Sequence, residues 1–369
     1  MSKDGAPSVC VIILNWNGWE DTVECLESLR DLDYANYQVV VLDNGSEDDS
    51  FMRIQSWAKG KTSVESSHVR RYEDNGLVSV VTYDRTTAEA GGVHEAEQAL
   101  MSLPAARRLV LVKIGENLGY AAGCNVGIRY ALATGADYVW LLNNDTVVAP
   151  SSLSALVCFL ENFPDYQGVT GQIRFYDNPL MVWNCGGSLT WYGSRRYHYA
   201  GAPIAKTPQQ GFRRISFITG CSALFRAALF REVGLLSEAF FFGEEDFELS
   251  KRLQRFGCKL ACKYDAIIYH KVGVSINTAA RGRLIGKIYI YYLNRFIDMR
   301  RYWPSLVWRV WRLLYSLYIL PMLKLRHGLR WHDIWQLLNL LFRDSMTLDR
   351  VDKKVFEWAM NLELGKVHN

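Results

Sequence analysis

The sequence predicts an α/β protein with a mostly parallel sheet covered by helices on both faces, followed by a C-terminal helical extension. Its apolar segments are continuous rather than alternating, which is typical of strands buried on both faces. They are separated by stretches with apolar residues at helical spacing, as in βαβ units. The segments end in Asn, Asp or Gly. One edge of the sheet should therefore gather polar groups, at the strand ends where open α/β sheets bind ligands.

The first half of the chain contains four such strands. The first covers residues 8–14, ends in NWNG, and precedes a predicted helix over residues 20–30. The others cover residues 38–42, 109–114 and 139–142, and are followed by DNGS, GENLG and NND.

Residues 61–107 interrupt this alternation. They are mixed and polar, with one plausible strand at 77–83. We predict an insertion or mobile excursion rather than a domain, because the segment is too short for a core of its own. After residue 151 a helix should run to about 162. Short β-like segments then follow at 168–175, 188–192 and 215–219.

Asp145 closes the fourth strand and is the most informative residue of the chain. It is a lone carboxylate preceded by Asn143 and Asn144. A carboxylate among amides suits a hard divalent cation that keeps some water and shares phosphate oxygens. The pattern therefore favours a nucleotide-diphosphate substrate, although a strand followed by a polar turn would give the same residues.

A second acidic constellation, FFFGEEDFEL at residues 240–249, precedes an amphipathic helix that should end before Gly257. We expect Asp246 to cap this helix, where the helix dipole favours its ionised form and it can accept a proton. An acidic first turn that only complements the dipole is the alternative. His270 ends a short β-branched segment and is either a metal ligand or a structural imidazole.

Composition excludes several classes of protein. Of the 369 residues, 49% are hydrophobic and 22% charged, as in ordinary globular chains. The start MSKDG does not resemble a signal peptide, no uninterrupted apolar segment is long enough for a transmembrane helix, and the eight scattered cysteines do not suggest a zinc site. The net charge of +4 is local, because residues 300–330 hold basic side chains and no acid.

Together these segments resemble a family-2 glycosyltransferase of the GT-A fold, a Rossmann-like sheet, and more narrowly its rhamnosyltransferase-like branch. The resemblance covers about residues 8–300 and rests on six motifs in the family's order. The most specific is NLGYAAGCNVGI at residues 117–128. The other five are VIILNWN from residue 11, VLDNGS from 41, NND from 143, TGCS from 219, and EDFE from 245 followed by Arg252.

The resemblance implies a catalytic domain over residues 1–285, with a donor half at about 8–150 and an acceptor half at about 151–285, and a separate helical region at 286–369. It implies Asp246, beside Glu245, as catalytic residues, with Asp246 the base of an inverting transfer. It implies Mg²⁺ or Mn²⁺ on Asp145, Asn143 and His270. The implied nucleotide-sugar-binding residues are Asn15, Asn17, Asp43, Asn117, Gly119, Gly123, Asn125, Asn144 and Asp145.

Further roles follow from the same resemblance. Asp43 would accept a hydrogen bond from uracil or thymine, and amides of the glycine-rich stretch 119–127 would approach the phosphates. Gly220 and Arg252 would lie on the acceptor side, where Trp183 is a further candidate although it could equally be a core residue. The sequence departs from the pattern at Asn143, which replaces an acid and leaves one carboxylate for the ion.

The donor and the exact activity stay open. The branch suggests dTDP-rhamnose, but UDP-galactofuranose, UDP-GlcNAc or another hexose donor would serve, with a glycan or lipid-linked acceptor in cell-surface polysaccharide or glycoprotein glycan synthesis. A sugar-phosphate nucleotidyltransferase is one alternative, but NWNG is not its basic, glycine-rich signature. A catalytically silent nucleotide-sugar-binding subunit is another.

The basic C-terminal segment predicts a further partner. Ser305, Arg309, Arg312 and Ser316 form a narrow polar stripe on a predicted helix that Pro321 should break or kink, and a second apolar stretch covers 331–342. Basic residues and Trp on an amphipathic helix suggest an anionic membrane surface, so we expect 303–343 to hold a cytoplasmic enzyme peripherally at the inner face of the cell membrane. A helical lid on the core and a homodimer interface are the alternatives. Nucleic acid is not expected, because the basic residues alternate with large aliphatic ones.

Overall fold

The computed structural model describes residues 5–63, 65–69, 77–272 and 281–362, without the side chains of 281–283. Its central feature is a large mixed β-sheet, and helices cover both faces. This architecture confirms the predicted fold class.

The donor half is a parallel five-stranded unit in the order β5-β1-β2-β4-β3. All four predicted strands are present, and each of their ends differs from the predicted one by one residue. The fifth strand lies in the predicted excursion at the edge. Their bounds are β1 (Val9–Asn15), β2 (Tyr37–Asp43), β3 (Ser79–Asp84), β4 (Arg108–Lys113) and β5 (Tyr138–Asn143).

The acceptor half is mixed, because β12 joins the sheet antiparallel to both β5 and β7. A strand expected at 215–219 lies earlier in the chain, and the one at 188–192 is shorter and forms a separate hairpin of β9 with β10. The bounds are β6 (Thr146–Val148), β7 (Tyr166–Phe175), β8 (Val182–Asn184), β9 (Gly187–Leu189), β10 (Arg195–Tyr197), β11 (Phe212–Ile215), β12 (Ser222–Arg226) and β13 (Lys259–His270).

Two apolar cores lie on opposite faces of the sheet because successive side chains of a strand point to opposite sides. In β1, Val9, Val11 and Ile13 enter one core, whereas Cys10 and Ile12 enter the other. The helices that cover these faces are α1 (Trp19–Arg30), α2 (Ser50–Ala58), α3 (Arg85–Glu89), α4 (His94–Met101), α5 (Tyr120–Ala133), α6 (Ser152–Asn162), α7 (Ala227–Val233) and α8 (Glu245–Arg255).

The segment 61–107 contributes to the sheet in its second part. Strand β3 pairs in parallel with β4, and the short helix α3 packs against α5. Residues 64 and 70–76 of this segment lie outside the described residues.

The C-terminal helices share a third apolar core with aromatic residues of the acceptor half. Their bounds are α9 (Arg281–Arg300), α10 (Ser305–Pro321), a π-helical turn (Met322–Arg326), α11 (Trp331–Thr347) and α12 (Lys353–Met360). The core contains Phe217, Phe240 and Phe247 beside side chains of α9, α10 and α11. The α-helical pattern of α10 ends at Pro321, as expected. The remaining residues of the predicted region, 363–369, lie outside the described part of the chain.

The polar stripe of α10 does not face outward as a unit, which corrects the sequence-based picture. Ser305 and Arg309 are exposed, but Arg312 and Ser316 are buried. Arg312 turns inward because it donates hydrogen bonds to the Phe342 carbonyl and the Ser345 hydroxyl near the end of α11.

The span Ser305–Arg326 is long and apolar enough to cross a membrane, alone among the described residues. This differs from the expectation that no segment would qualify, because mean hydropathy tolerates the interspersed basic residues that interrupt every apolar run. The mean hydropathy of 1.2 and the 39% buried share also fit a helix that is half packed on a protein core.

Candidate functional site

The candidate site lies at the polar edge of the sheet, where parallel pairing places the strand ends side by side. In the β1–β2 register Asn15 lies opposite Asp43, and in the β1–β5 register Leu14 lies opposite Asn143. The strand ends that precede Asp145 and include Asp43 are therefore separated by a single strand, at the edge where the sequence predicted that polar groups would gather.

Asp43 is held in a fixed orientation by its neighbours. Its Oδ1 accepts hydrogen bonds from Asn15 Nδ2 at 3.1 Å and from the Ser46 hydroxyl at 2.5 Å. Thr22 in turn donates to Asn15 Oδ1 at 2.8 Å. Asn15 therefore positions Asp43, which is a supporting role in addition to the ligand contact predicted for it.

The other asparagines of this edge join loops to one another. Asn17, at a φ of 50°, accepts the Glu47 amide at 2.8 Å. Asn117 Oδ1 accepts the Gly119 amide at 2.9 Å, and Asn144 Nδ2 donates to Thr22 at 3.2 Å. Sequence reasoning assigned these side chains to the nucleotide, whereas the structure uses their amides to shape the loops that surround the edge.

Asp145 and His270 form the second part of the site. Strand β6 pairs with β13 so that Thr146 lies opposite His270, and Nε2 of His270 lies 3.2 Å from Oδ1 of Asp145. Both side chains are largely buried. A cleft opens beside His270, lined by Phe175, Tyr176, Asp177, Asn178, Met181, Lys271 and Val272.

The electrostatics of this pair reflect its proximity. Burial acts to raise the pKa of Asp145, but the hydrogen bond and charge of His270 outweigh burial and bring that pKa below its usual range. Burial acts to lower the pKa of His270, but Cys221 and Asp145 together raise it to about 10. In this arrangement the pair is a carboxylate beside an imidazolium.

The donor atoms fit a divalent cation only in part. His270 Nδ1 is buried without a hydrogen-bond partner among the described residues, and Asp145 Oδ1 is buried facing the His270 ring at 3.2 Å, which makes these two side chains the donor groups that the pair could offer an ion. No cluster of three His, Cys, Asp or Glu side chains suited to a metal occurs in the described ranges. A cation here would therefore need further ligands from a bound substrate.

Asn143 was expected to be a third ligand, and this expectation is not supported by the geometry. Its Oδ1, the atom that a metal would need, accepts a hydrogen bond from the Tyr120 hydroxyl at 3.0 Å. The same hydroxyl lies 3.2 Å from the Gly220 carbonyl, and the Tyr120 amide donates to the Phe241 carbonyl at 3.1 Å. Tyr120 thus ties the donor edge to the acceptor segment. Its place in the NLGY motif was the only signal in the sequence.

A row of side chains connects the Asp145–His270 pair to the predicted base. The Trp183 ring lies 4.6 Å from that of His270 and 5.8 Å from that of Tyr197. The Arg195 guanidinium lies 5.6 Å from the Tyr197 ring, and its Nη1 is 3.5 Å from Oδ1 of Asp246. Trp183 therefore contacts His270, and it also packs against one of the two apolar cores of the sheet, the alternative that the sequence left open. Arg195 was missed, because nothing in its local sequence marks it.

The turn before Asp246 is held by a buried ion pair. Glu244 has a φ of 74°, in the left-handed region that is uncommon for residues with a side chain. Arg295 of α9 binds both carboxylate oxygens of Glu244, donates to the Gly193 carbonyl at 2.6 Å and stacks on the Phe247 ring at 3.4 Å. Arg295 was also missed, because it lies 51 residues from Glu244.

Asp246 does not cap α8, contrary to the prediction. Glu244 occupies the N-cap position, so Asp246 lies within the first turn and its carboxylate faces Arg195. The helix dipole still favours its charge there. Burial and the neighbouring Asp246 raise the pKa of Glu245 to about 8, so Glu245 is the neutral member of the pair.

Four of the residues predicted to contact ligands also have structural roles. Asn125 bonds the Leu236 backbone through both its oxygen and its nitrogen, and also bonds Glu238. Arg252 binds the carbonyls of residues 233 and 235. A Cβ on Gly123 would lie 2.6 Å from Leu14, and one on Gly119 would lie 2.3 Å from the Phe241 carbonyl. Both glycines allow close packing, so neither needs a phosphate to explain it.

Two curated proteins are similar in sequence to parts of this chain. The chain is 27% identical to galactofuranosyltransferase GlfT1 of Mycobacterium tuberculosis over 158 residues, which is 42% of this chain and 50% of that protein. It is 24% identical to hyaluronan synthase 2 of Homo sapiens over 298 residues, which is 78% of this chain and 48% of that protein. The chain thus spans about half the length of the curated relatives it matches.

Solved structures share the fold. GalNAc-T7, solved with UDP, GalNAc and Mn²⁺, has a TM-score of 0.53 at 13% identity, over 97% of this chain and 56% of that one. Mannosyltransferase PcManGT from Pyrobaculum calidifontis, solved with GDP-Man and Mn²⁺, has a TM-score of 0.51 at 16% identity, over 97% of this chain and 84% of that one.

The strongest comparison is with a family rather than with a single protein. The sequence pattern described as glycosyltransferase-like family 2 matches residues 6–284, from the first strand to the beginning of α9. The matched residues include Asp43, Asp145, Asp246 and His270, the ionisable groups of the candidate site. This chain therefore belongs to the glycosyltransferase-like family 2.

Proposed function

We propose that this protein transfers a hexose from a nucleoside-diphosphate sugar to a hydroxyl of a glycan or lipid-linked acceptor, with inversion at the anomeric carbon. The observation that carries the proposal is the continuous row from Asp145 and His270 through Trp183, Tyr197 and Arg195 to Asp246. In this proposal the leaving diphosphate would lie at the Asp145–His270 end of the row and the carboxylate base at its Asp246 end.

The donor nucleotide would bind over the ends of β1, β2 and β4. Asp43, oriented by Asn15 and Ser46, can accept a hydrogen bond from an imide N–H, so uracil or thymine suits this position. The loops fastened by Asn17, Asn117 and Asn144 shape the walls of the pocket. UDP- and dTDP-sugars, including rhamnose and galactofuranose donors, are therefore the donors we propose.

Asp145 and His270 would hold Mg²⁺ or Mn²⁺ together with phosphate oxygens of the donor. When bound, the ion supplies positive charge that neutralises the leaving diphosphate. Holding the ion needs His270 in its neutral form, because a ring nitrogen that carries a proton cannot also bind a metal. Because His270 carries a proton in the arrangement described above, the site is suited to an ion that arrives with its nucleotide.

The acceptor reaction would centre on Asp246. Its carboxylate takes the proton of the acceptor hydroxyl as the oxygen attacks the anomeric carbon, and the bond between that carbon and the diphosphate breaks on the opposite face. Arg195 would hold Asp246 in place, and Trp183 would offer an apolar face to a sugar ring. Glu245, beside the base, stays neutral because its pKa is raised to about 8.

The place of action that we propose is the inner face of the cell membrane, in the cytoplasm, with cell-surface polysaccharide or glycoprotein glycan synthesis as the process. The basic, aromatic residues 303–343 support this location. They would bring the enzyme to an acceptor that is anchored in lipid, and pairing of two copies through this region is the competing arrangement.

A donor screen tests the function directly. The full chain is incubated with UDP-, dTDP- and GDP-sugars and either Mn²⁺, Mg²⁺ or EDTA, and release of the nucleoside diphosphate is measured. We expect release from at least one uridine or thymidine donor, dependent on the cation. Tight nucleotide binding without release from any donor would favour a silent binding subunit, and pyrophosphate exchange with a sugar phosphate would favour a nucleotidyltransferase.

A further inference from the structure

Helix α10 presents a continuous apolar face to the outside. Seven side chains at helical spacing are more than half exposed, which is unusual for large hydrophobic residues of a folded chain. They are Leu306, Val307, Val310, Leu313, Leu314, Leu317 and Tyr318. Leu325 of the following turn and Trp331 and Trp335 of α11 are exposed to a similar degree.

The opposite side of the same helix accounts for its orientation. Trp308, Trp311, Tyr315 and Ile319 are buried in the third apolar core, and Arg312 is buried among them with its guanidinium 4.5 Å from the Trp308 ring. The helix is therefore anchored by its aromatic and polar side, while its most aliphatic side is left outside. A lid packed wholly on the core would do the reverse.

The surroundings of this face are basic. Arg309, Arg326 and His332 are exposed, and Lys324 lies over the Trp331 ring at 5.5 Å. Arg330 is also exposed but is paired at 3.0 Å with Asp333, the first acidic residue after position 300. Arg196 of the β9–β10 hairpin is exposed as well. Its charge acts to lower the pKa of Tyr318, although burial has the larger effect and raises that pKa, so Arg196 lies close to the outer face of α10. An apolar face with a basic border is complementary to an anionic lipid bilayer.

The β9–β10 hairpin extends this face and leads to the base. Its tip, Trp191, is 89% exposed. The next residue, Tyr192, packs against the Tyr318 ring at 5.5 Å and accepts a hydrogen bond from Trp311 at 3.0 Å. The Gly193 carbonyl accepts a hydrogen bond from Arg295. Arg195, two residues after Gly193, contacts Asp246.

We propose that the outer face of α10 and the hairpin tip Trp191 form one docking surface for an anionic lipid bilayer, so that the hairpin holds Asp246 beside the membrane. The docking surface deepens the proposed function, and its meaning for catalysis rests on that function. Only three residues separate Trp191, which would lie in the bilayer interface, from Arg195 beside Asp246. A hydroxyl acceptor anchored in lipid would thus reach the cleft from the membrane side.

Vesicle flotation tests the surface without any substrate. The full chain is floated with vesicles of phosphatidylcholine containing phosphatidylglycerol, and with phosphatidylcholine alone. We expect binding to the anionic vesicles that weakens with salt. The double variant Leu313→Ser, Leu317→Ser and the variant Trp191→Ser should each lower the bound fraction about tenfold. Met52→Ser, on an exposed apolar position of α2, is the matched control and should float like the wild type.

Two outcomes would overturn the proposal. One is wild-type flotation by all variants. The other is a wild-type chain that does not float but forms a dimer in sedimentation, disrupted by the Leu313 and Leu317 changes, which would assign the face to a second copy.

Nucleotide release separates this proposal from the proposed function. Variants that lose flotation should keep wild-type release of nucleotide from a soluble donor, because neither α10 nor Trp191 contacts the donor residues described above. A chain that floats but releases no nucleotide would leave the docking surface standing and remove the transferase. A chain that releases nucleotide but does not float would remove the docking surface and leave the transferase standing.

Discussion

Arg195 and Asp246 lie 3.5 Å apart, so the β9–β10 hairpin and helix α8 meet at the carboxylate that we propose as the base. The ion pair holds the carboxylate in a fixed orientation, and it links the position of the hairpin to that of the carboxylate.

Asp246→Asn should reduce transfer by about 10²–10⁴-fold, because the amide cannot accept the hydroxyl proton. Donor binding, measured by calorimetry with the nucleoside diphosphate, should remain unchanged. Glu245→Gln is the matched control and should retain most of the activity, since Glu245 is already neutral. Equal losses in both variants would mean that the acidic pair acts as a unit and that Asp246 is not the single base.

Arg195→Gln should lower kcat/KM for transfer by about tenfold and move the acidic limb of the pH–rate profile to higher pH, because loss of a neighbouring positive charge favours protonation of a carboxylate. Arg195→Lys should restore part of both effects. A pH profile identical to the wild type, with only KM increased, would show that Arg195 contacts the acceptor and does not act on Asp246.

Asp145→Asn should weaken cation-dependent nucleotide binding by at least about tenfold, because a hard divalent ion prefers a charged oxygen ligand. Binding of the same nucleotide in EDTA should change little, and calorimetry with Mn²⁺ measures both. His270→Gln should have a smaller effect in the same direction. If neither variant alters the Mn²⁺ dependence, the ion binds elsewhere or through the nucleotide alone.

Asn125→Ala should destabilise the fold by about 1–3 kcal/mol, since it leaves buried backbone groups of Leu236 without partners. Nucleotide affinity should not change, because the side chain is directed at the loop and not at the cleft. Urea unfolding and nucleotide titration of the same preparation check this pair of expectations. A loss of affinity with unchanged stability would restore the ligand contact that the sequence motif suggested.

Glu245 should make stability depend on pH in the alkaline direction. Its pKa is raised from an ordinary 4.5 to about 8, so the folded chain binds a proton that the unfolded chain releases. The stability contributed by that proton is full below about pH 4.5 and is lost as the pH rises through about 8. Between pH 6 and 9 the Tm of the wild type should therefore fall more steeply than that of Glu245→Gln. Parallel Tm curves would contradict the raised pKa.

The strands and the polar edge could be predicted from the sequence because their signals are local. A continuous apolar segment such as 8–14 specifies a strand buried on both faces wherever it occurs, and parallel pairing then forces the polar residues after it to one edge. Asp43 and Asp145 were selected as candidates this way, His270 was selected at the end of a short β-branched segment, and the structure places Asp145 and His270 3.2 Å apart.

The division of labour among the site residues was decided by tertiary contacts. Whether Asn125 binds a nucleotide or a loop depends on Leu236, which lies 111 residues away, and the left-handed turn at Glu244 depends on Arg295, 51 residues away. The outward face of α10 follows the same rule. Its pattern showed that the helix is amphipathic, but only packing against α9 and α11 determined that Arg312 turns inward and the leucines outward. A buried arginine is stable only where its guanidinium has partners, and here the Phe342 carbonyl and the Trp308 ring provide them.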